Sequence, residues 1–484
     1  MTATILIIAM LVTCASAQAQ ILRNLNFEQA CDTAKTGLCN WELSWGAPGA
    51  CTLDTYEGNQ CLAIKGQDKS SVGFVEQTVL LDTATGLQIL ELSARVKSDG
   101  VEGKGAGINL GVYDSADQFL TNKDMGYAAF NWINGSRDRS RYTIAMVCPT
   151  EAARIKIGAI LYGKGKVLFD DFVVTVTPVA GRTPSQLSRD YIAAACDSIA
   201  MHSLMRDSVD LAACRETALQ VAGPAQSTKD CHLAIEYLLA SLGDHHSFLM
   251  KPEEVEDWQD DDAESANIEF AKSEIIDNCG FISVPPFHGG NEQLKLAYSD
   301  SLQTAIRRLD NSPIKGWIID LRENTGGNMT PMIAGLGPLL DSGGLGFLVN
   351  VNGERESWRY QDGAYFWETE ELMRVTDPVR LSVQRPIAVL ISARTGSSGE
   401  IVTISFVGNT RTRLFGQPTW GLTTGNGSFD LPDGARMMLS STIMADRSGR
   451  QYYGRIEPDE TIEPGGESEA DAEIAAAIRW ILSQ

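Results

Sequence analysis

The pattern of apolar and polar positions changes character twice along the chain. From residue 21 to about 178 it consists of short, partly alternating runs, Leu87–Val96 and Ala106–Val112 among them, separated by clusters of Gly, Asp and Asn. Alternation marks strands with one buried face, and regular strand spacing without helical periodicity predicts an all-β sandwich. The last run, Gly165–Val174, carries an acidic pair, Asp170 and Asp171. Pro178–Arg182 reads as a linker, and Thr183 with Pro184 supplies an N-cap followed by proline at the first helical position. Helical segments are predicted at about 184–202, 206–222 and 227–242. The third opens on a capping box, Ser227 to Asp230, ends at Gly243, and carries Ile235, Leu238, Leu239 and Leu242 as one apolar stripe. From about 266 onward short apolar runs such as Gly316–Leu321 and Ile387–Ser392 each lead into a turn and then a helical pattern. That is the sequence of a parallel sheet with crossover helices.

The predicted organisation is therefore multidomain, as 484 residues require. A leader occupies 1–19 and an all-β sandwich 21–178. A helical subdomain follows at 183–265, then an α/β domain at 266–484. Thr4–Val12 is apolar but too short to span a bilayer, and Ala15-Ser16-Ala17 and Ala17-Gln18-Ala19 both fit small-x-small cleavage sites. No Lys or Arg precedes that run. This points to export, secreted or periplasmic, with lipid anchoring through Cys14 as the alternative reading. Thr13 fits a lipobox poorly, which favours plain secretion. No later stretch has the length of a membrane span.

Charge narrows the partners. With 62 Asp plus Glu against 40 Lys plus Arg, the net charge of −22 argues against nucleic acid and anionic membranes. Cys31, Cys39, Cys51 and Cys61 cluster near the mature N-terminus, which in an exported chain predicts two disulfides. Their spacing lacks the C-x-x-C pairs of a zinc ribbon. Asp170 and Asp171 could hold calcium but more simply satisfy loop backbone.

Three segments carry candidate chemistry. Leu242–Leu249 contains Gly243-Asp244-His245-His246 and leaves a helix. Asp320–Asn328, with Gly326-Gly327, follows a strand. Ser392–Glu400, with Thr395-Gly396-Ser397-Ser398-Gly399-Glu400, follows a second strand and enters a helix. A strand, a tight turn of small residues and a helix N-terminus expose a nucleophile and aim N–H groups at a developing oxyanion. A serine hydroxyl needs a neighbouring base, and histidine titrates nearest neutrality. Of five histidines, His202 and His232 lie on helical segments and His288 beside a Gly-Gly loop, leaving His246 with His245 as its rival. The His-His pair could instead bind metal, but carboxylate and cysteine company is sparse.

Together these segments resemble the tail-specific and tricorn-like serine peptidases over about 185–465. Further support comes from Gly416–Gly421 and Gly454–Asp459 in family order. The resemblance implies a ClpP/crotonase-like spiral of αβ units, Ser397 as nucleophile, and Gly327 and Ser398 as oxyanion-hole donors. Gly326 then reads as a plain turn glycine, and Asp320 and Arg322 as ion partners. One branch of the family uses a lysine about 25 residues after the serine; here that position is Leu422, and no lysine follows Lys315. The other branch uses a histidine in the position of His246, with a late acid, here Glu457, to orient it. Asp459 and Asp244 remain open as alternatives to Glu457. Only a short acidic stretch stands where many relatives carry a PDZ domain.

For the first domain, Asn24–Glu28 and the Phe-Asp-Asp end resemble jelly-roll modules of the carbohydrate-binding and galactose-binding-like type. This resemblance makes a glycan a candidate partner, with Trp45 and Trp132 as possible stacking residues, although an aromatic in a sandwich more often packs in the core. The expected function is an exported serine peptidase acting on peptide or protein, without metal or organic cofactor. The alternatives are a non-catalytic glycan- or peptide-binding protein on a relic peptidase fold, and an esterase using the same residues.

Overall fold

The computed structural model describes residues 24–29, 38–47, 49–69, 71–81, 86–125, 132–259, 268–462 and 471–484. The leader, Cys14 and Cys31 lie outside the described residues. Among those described, no helix is long and apolar enough to cross a membrane. The chain divides into two compact units between Thr183 and Pro184.

Among its described residues the first unit has eight strands: β1 (Glu42–Gly46), β2 (Cys51–Tyr56), β3 (Asn59–Gly66), β4 (Val72–Leu80), β5 (Gln88–Tyr113), β6 (Phe119–Asp124), β7 (Ile133–Cys148) and β8 (Arg154–Pro178). All pair antiparallel, and β5 and β8 are long enough to serve two layers. The first half of β5 and the second half of β8 lie beside β7 and β3. The remaining halves lie beside β6 and β4. Both strands bend at glycines with positive φ, Gly103 and Gly105 in β5 and Gly163 and Gly165 in β8. A Cβ at Gly163 would lie 2.1 Å from the Glu102 carbonyl oxygen, so only glycine lets the bends touch. Alternation then sends Ala106, Ile108, Leu110 and Val112 into the core against Ile155, Ile157, Ala159 and Leu161.

One expectation changes in this unit. Cys39 is disulfide-bonded, but Cys51 and Cys61 are free and buried, so the predicted second bridge is not made. The β2–β3 ladder sets Cys51 opposite Ile64 and Cys61 opposite Asp54, on opposite faces and roughly 10 Å apart along the ribbon. Asp170 pairs with Arg139 and accepts its neighbour's N–H at 2.8 Å, and Asp171 pairs with Arg95 at 3.6 Å.

The second unit opens with α1 (Gln186–His202), α2 (Leu211–Ala222), a 3-10 turn (Thr228–Cys231), α3 (His232–Ser241), β9 (Phe248–Met250) and α4 (Pro252–Gln259). There follow β10 (Lys272–Ile276), β11 (Cys279–Ser283), α5 (Glu292–Asp310), β12 (Gly316–Asp320) and α6 (Met329–Leu340). Then come β13 (Gly343–Asn350), β14 (Arg355–Gln361), β15 (Ala364–Trp367), β16 (Glu370–Arg374), β17 (Ile387–Ile391) and α7 (Ser398–Phe406). The chain closes with β18 (Thr412–Gly416), β19 (Thr424–Asp430), β20 (Arg436–Asp446), β21 (Glu460–Thr461) and α8 (Ala472–Leu482). One sheet runs β10–β11–β12–β17–β18–β21, parallel except at β10. A second runs β16–β15–β14–β13–β20–β19, with β9 also on β20.

The N-terminal helices belong to this same unit rather than standing as a separate subdomain. A buried polar cluster ties them down. Tyr191 on α1 and His232 on α3 both bond Asp433, between β19 and β20, at 2.8 Å. Two helix starts also move. Ser185, not Thr183, caps α1 by accepting the Ser188 N–H at 3.1 Å, and the Ser227–Asp230 capping box opens the 3-10 turn ahead of α3.

Candidate active site

Three loop segments converge where the two sheets meet. The turn between β17 and α7 is built first, because its backbone is held from every side. Thr395 Oγ1 donates to Leu321 O at 2.8 Å and accepts the Ser392 N–H at 3.0 Å, while Gly396 N donates to Asn324 O at 3.1 Å. Ser397 then sits at φ 51°, ψ −119°, a conformation costly for a residue with a Cβ. Glu400, fully buried one turn on, accepts the Ser397 N–H at 2.9 Å through one oxygen. Its other oxygen accepts Thr419 Oγ1 at 2.5 Å and Gly421 N at 2.9 Å. Burial pushes this carboxyl up to about 7, against the opposing pull of those hydrogen bonds.

The glycine-rich turn after β12 packs directly on this elbow. Buried Asn324 organises it: Oδ1 accepts Gly326 N and Nδ2 donates to Val284 O, both at 3.0 Å. Gly326 has φ 107°, and a Cβ there would lie 2.8 Å from Gly396 O and 2.9 Å from Ser397 Cβ. It is thus more than the plain turn glycine read from the sequence. A Cβ at Gly327 would fall 2.0 Å from Phe287 O and 2.9 Å from His288 Nδ1. Ser398 Oγ donates to Gly327 O at 2.6 Å, which holds the two expected oxyanion-hole residues against each other. Arg322 pairs with Asp320 at 2.7 Å and Asp471 at 2.8 Å, and also with Glu473, as the ion partner expected of it.

The third segment brings the imidazole. Asp244 Oδ1 accepts the N–H groups of His246 and Ser247 at 2.9 and 2.8 Å, closing a turn in which His245 takes φ 56°. That turn separates the two histidines: His245 is exposed and His246 buried. His246 Nε2 lies 3.0 Å from Ser397 Oγ. Its Nδ1 lies 2.7 Å from Thr424 Oγ1 at the start of β19. Burial pushes the imidazole down to about 4, with Asp244 opposing.

Thr424 is the residue the sequence reading missed, and it replaces Glu457 at Nδ1. Glu457 is exposed, because the extended chain buries its neighbour Ile456, whose N–H donates to Thr419 Oγ1 at 2.8 Å. Asp459 instead accepts the Leu414 N–H at 2.8 Å. Thr424 Oγ1 is 3.3 Å from Ser440 Oγ, which donates to Asn426 Oδ1 at 3.2 Å, and Asn426 Nδ2 donates to His246 O at 2.9 Å. Each hydroxyl has one proton. Ser440 spends its proton on Asn426, so Thr424 donates to Ser440 and accepts from Nδ1–H. Nε2 is then unprotonated and faces the Ser397 hydroxyl. A lone threonine in an ordinary strand gives no sequence signal for this role; Glu400 and Asn324 were visible inside their motifs but had no assigned work.

Two other histidines are occupied elsewhere: His202 stacks on Phe429 with centroids 4.6 Å apart, and His232 bonds Asp433. Among the described residues no three His, Cys, Asp or Glu side chains converge as a metal site requires.

The model of the family described as Peptidase family S41 matches residues 278–462. The chain is 26% identical over 297 residues to the nisin-resistance protein of Lactococcus lactis subsp. lactis, covering 61% of this chain and 87% of that protein. It is 27% identical over 163 residues to the carboxyl-terminal-processing protease of a Synechocystis strain, covering 33% of this chain and 34% of that protein. In fold it is similar to a lipoprotein of Streptococcus agalactiae at a TM-score of 0.50 and 24% identity, covering 61% of this chain and 96% of that one. Residues 278–462 thus form a Peptidase family S41 domain, and the chain is a serine-type peptidase.

Proposed function

We propose that the chain is an exported peptidase that cleaves peptide bonds with Ser397 as nucleophile and His246 as general base. The single observation that carries this reading is the 3.0 Å approach of His246 Nε2 to Ser397 Oγ, in the tautomer the Thr424–Ser440–Asn426 chain enforces. Ser397 Oγ bonds to the scissile carbonyl carbon as its proton passes to Nε2. The N–H groups of Gly327 and Ser398 receive the oxyanion. Collapse breaks the C–N bond, the proton leaves Nε2 for the departing amine, and water repeats the sequence to free the acyl group.

With its pKa near 4, His246 is neutral and ready to accept a proton at pH 7. The partner at Nδ1 is a hydroxyl and not a carboxylate, so the transient imidazolium gains orientation but little charge stabilisation there. Trp420, 53% exposed and held to Thr395 O at 2.8 Å, borders the elbow and offers substrate an apolar contact. Only residues 251–271 separate β9 from β10, fewer than an independent peptide-recognition domain needs. Export to a secreted or periplasmic location rests on the leader pattern.

Ser397→Ala tests the assignment. It should abolish casein cleavage and labelling by a serine-reactive phosphonate while the thermal midpoint stays within a few degrees. Cleavage at the wild-type rate would remove Ser397 from the mechanism.

A further inference from the structure

The outer face of the β4–β8–β5–β6 layer is neither packed core nor plain solvated surface. Where β5 and β8 pair, Gly111 stands opposite Lys156 and Asn109 opposite Gly158, both on the side away from the core. The glycines leave a floor without side chains, and rings lie over it. A Cβ at Gly158 would meet the Phe74 ring at 2.5 Å, and one at Gly111 the Tyr113 ring at 3.1 Å. The result is a cavity of about 240 Å³.

Aromatic pairs stand at both ends. Tyr113 and Phe119 meet edge-on with centroids 5.7 Å apart, and Trp132 and Tyr162 do the same at 5.6 Å. Trp132 packs beside Gly105, and from there to Tyr113 the strand runs roughly 25 Å. Between the ends the lining is hydrogen-bonding: Asn109, Asn122, Asp124 and Glu76. Charge is balanced locally, since Lys156 Nζ bonds Glu76 at 2.9 Å and lies 5.2 Å from the Tyr113 ring centre. Trp45, 67% exposed on β1, sits opposite Phe74 and extends the same face to the sheet edge.

We propose that this trough binds a neutral oligosaccharide. A sugar ring offers an apolar C–H face to an aromatic platform and hydroxyls to amides and carboxylates, which is the mixture present. The length between platforms suits several sugar units rather than one. A peptide adding as a strand finds no free edge over the trough floor, because among the described strands β4, β8 and β5 are each paired on both sides and the open edges lie on β1 and β6 at its margins. An acidic or strongly basic ligand meets no unbalanced cluster of opposite sign. The proposal rests on the first unit alone and is independent of the peptidase reading.

The full-length protein is titrated by calorimetry and tryptophan fluorescence with hexasaccharides of β-1,4-glucose, β-1,4-galactose and α-1,4-glucose. At least one should bind saturably. Trp132→Ala and Tyr113→Ala should each weaken its Kd about tenfold. Asn109→Ala, a milder change should either ring variant unfold by circular dichroism, should weaken it several-fold. Ser397→Ala should bind as the wild type does, and Trp132→Ala should keep its casein cleavage, so the two readings fail separately. No binding of any hexasaccharide, or binding unchanged in all folded trough variants, overturns the proposal. So does a trough that loses casein peptides and not sugars on Trp132→Ala.

Discussion

The two sides of the proposed catalytic cleft are held by different chemistry. The serine side is backbone locked by backbone: Gly326, Gly396 and Ser397 touch, Asn324 ties the two turns, and one buried carboxylate, Glu400, bonds both the elbow and the Thr419–Gly421 loop. The histidine side is a short turn closed by Asp244, with the ring itself oriented by neutral hydroxyls on β19 and β20. A strained serine at positive φ needs a rigid surround, because the strain relaxes if any support yields. A neutral imidazole needs only orientation and a fixed tautomer. The serine side is therefore expected to be brittle and the histidine side tunable.

Removing the base tests both sides at once. His246→Ala should lower kcat about as far as Ser397→Ala, by roughly 10⁴-fold or more, and the double variant should be hardly worse, since the pair acts as one unit. Additive losses measured on casein peptides would break the coupling. Next comes Gly326→Ala, whose new methyl would press on Gly396 O and Ser397 Cβ from a left-handed backbone. A displacement of the nucleophile approaching 1 Å costs on the order of 10²-fold in kcat. Activity within a factor of three would show that the elbow is not as tightly seated as its contacts indicate.

Glu400→Ala should lose on the order of 10²-fold as well, and Glu400→Gln less, because the amide keeps an acceptor for part of the network. The pH dependence separates this site further. The carboxyl is raised from 4.5 to about 7 in the folded state, so it contributes stability fully present below 4.5 and lost as pH rises through about 7. Relative to Glu400→Gln, the wild type should therefore lose thermal stability across that window, and parallel melting curves from pH 4.5 to 7 would contradict it.

On the histidine side, Thr424→Val should cost roughly tenfold in kcat with KM little changed, and Thr424→Ser should recover most of it. The acid limb of kcat/KM should fall near pH 4, where burial places the imidazole, and Thr424→Asp should move that limb upward by placing a charge at Nδ1. An acid limb near 6.5 in the wild type would mean the ring is not as desolvated as its surroundings imply. The smallest effect belongs to Glu457→Gln. Exposed and away from Nδ1, it should leave kcat/KM within about twofold, and a large loss would return that acid to the mechanism.

Much of this cleft was legible along the chain. Thr395–Glu400 and Asp320–Asn328 each follow an apolar strand, so their turns, and the proposed nucleophile on one of them, were marked by local chemistry that glycine and serine spacing records. The absence of lysine after Lys315 pointed to histidine as the proposed base without any coordinates. The preference for His246 over His245 came from its place in the Gly-Asp-x-His motif, and in the structure an Asp244 turn with His245 at positive φ separates the two. The two-disulfide expectation failed because cysteine clustering carries no register, and the β2–β3 ladder puts Cys51 and Cys61 on opposite faces.

What the sequence determined by itself was the set of local devices: strands alternating on one face, helices with caps, glycines where a Cβ cannot fit, and a serine placed to be exposed. Each follows from interactions within a few residues, which sequence spacing encodes directly. Only the tertiary structure decided that Thr424, 178 residues from His246, orients the ring, that Glu400 braces the elbow from beneath, and that glycines on β5 and β8 open a ring-lined trough. Those assignments depend on which segments the sheets bring side by side, and cross-sheet register is set by the packing of the whole core rather than by any one stretch of chain.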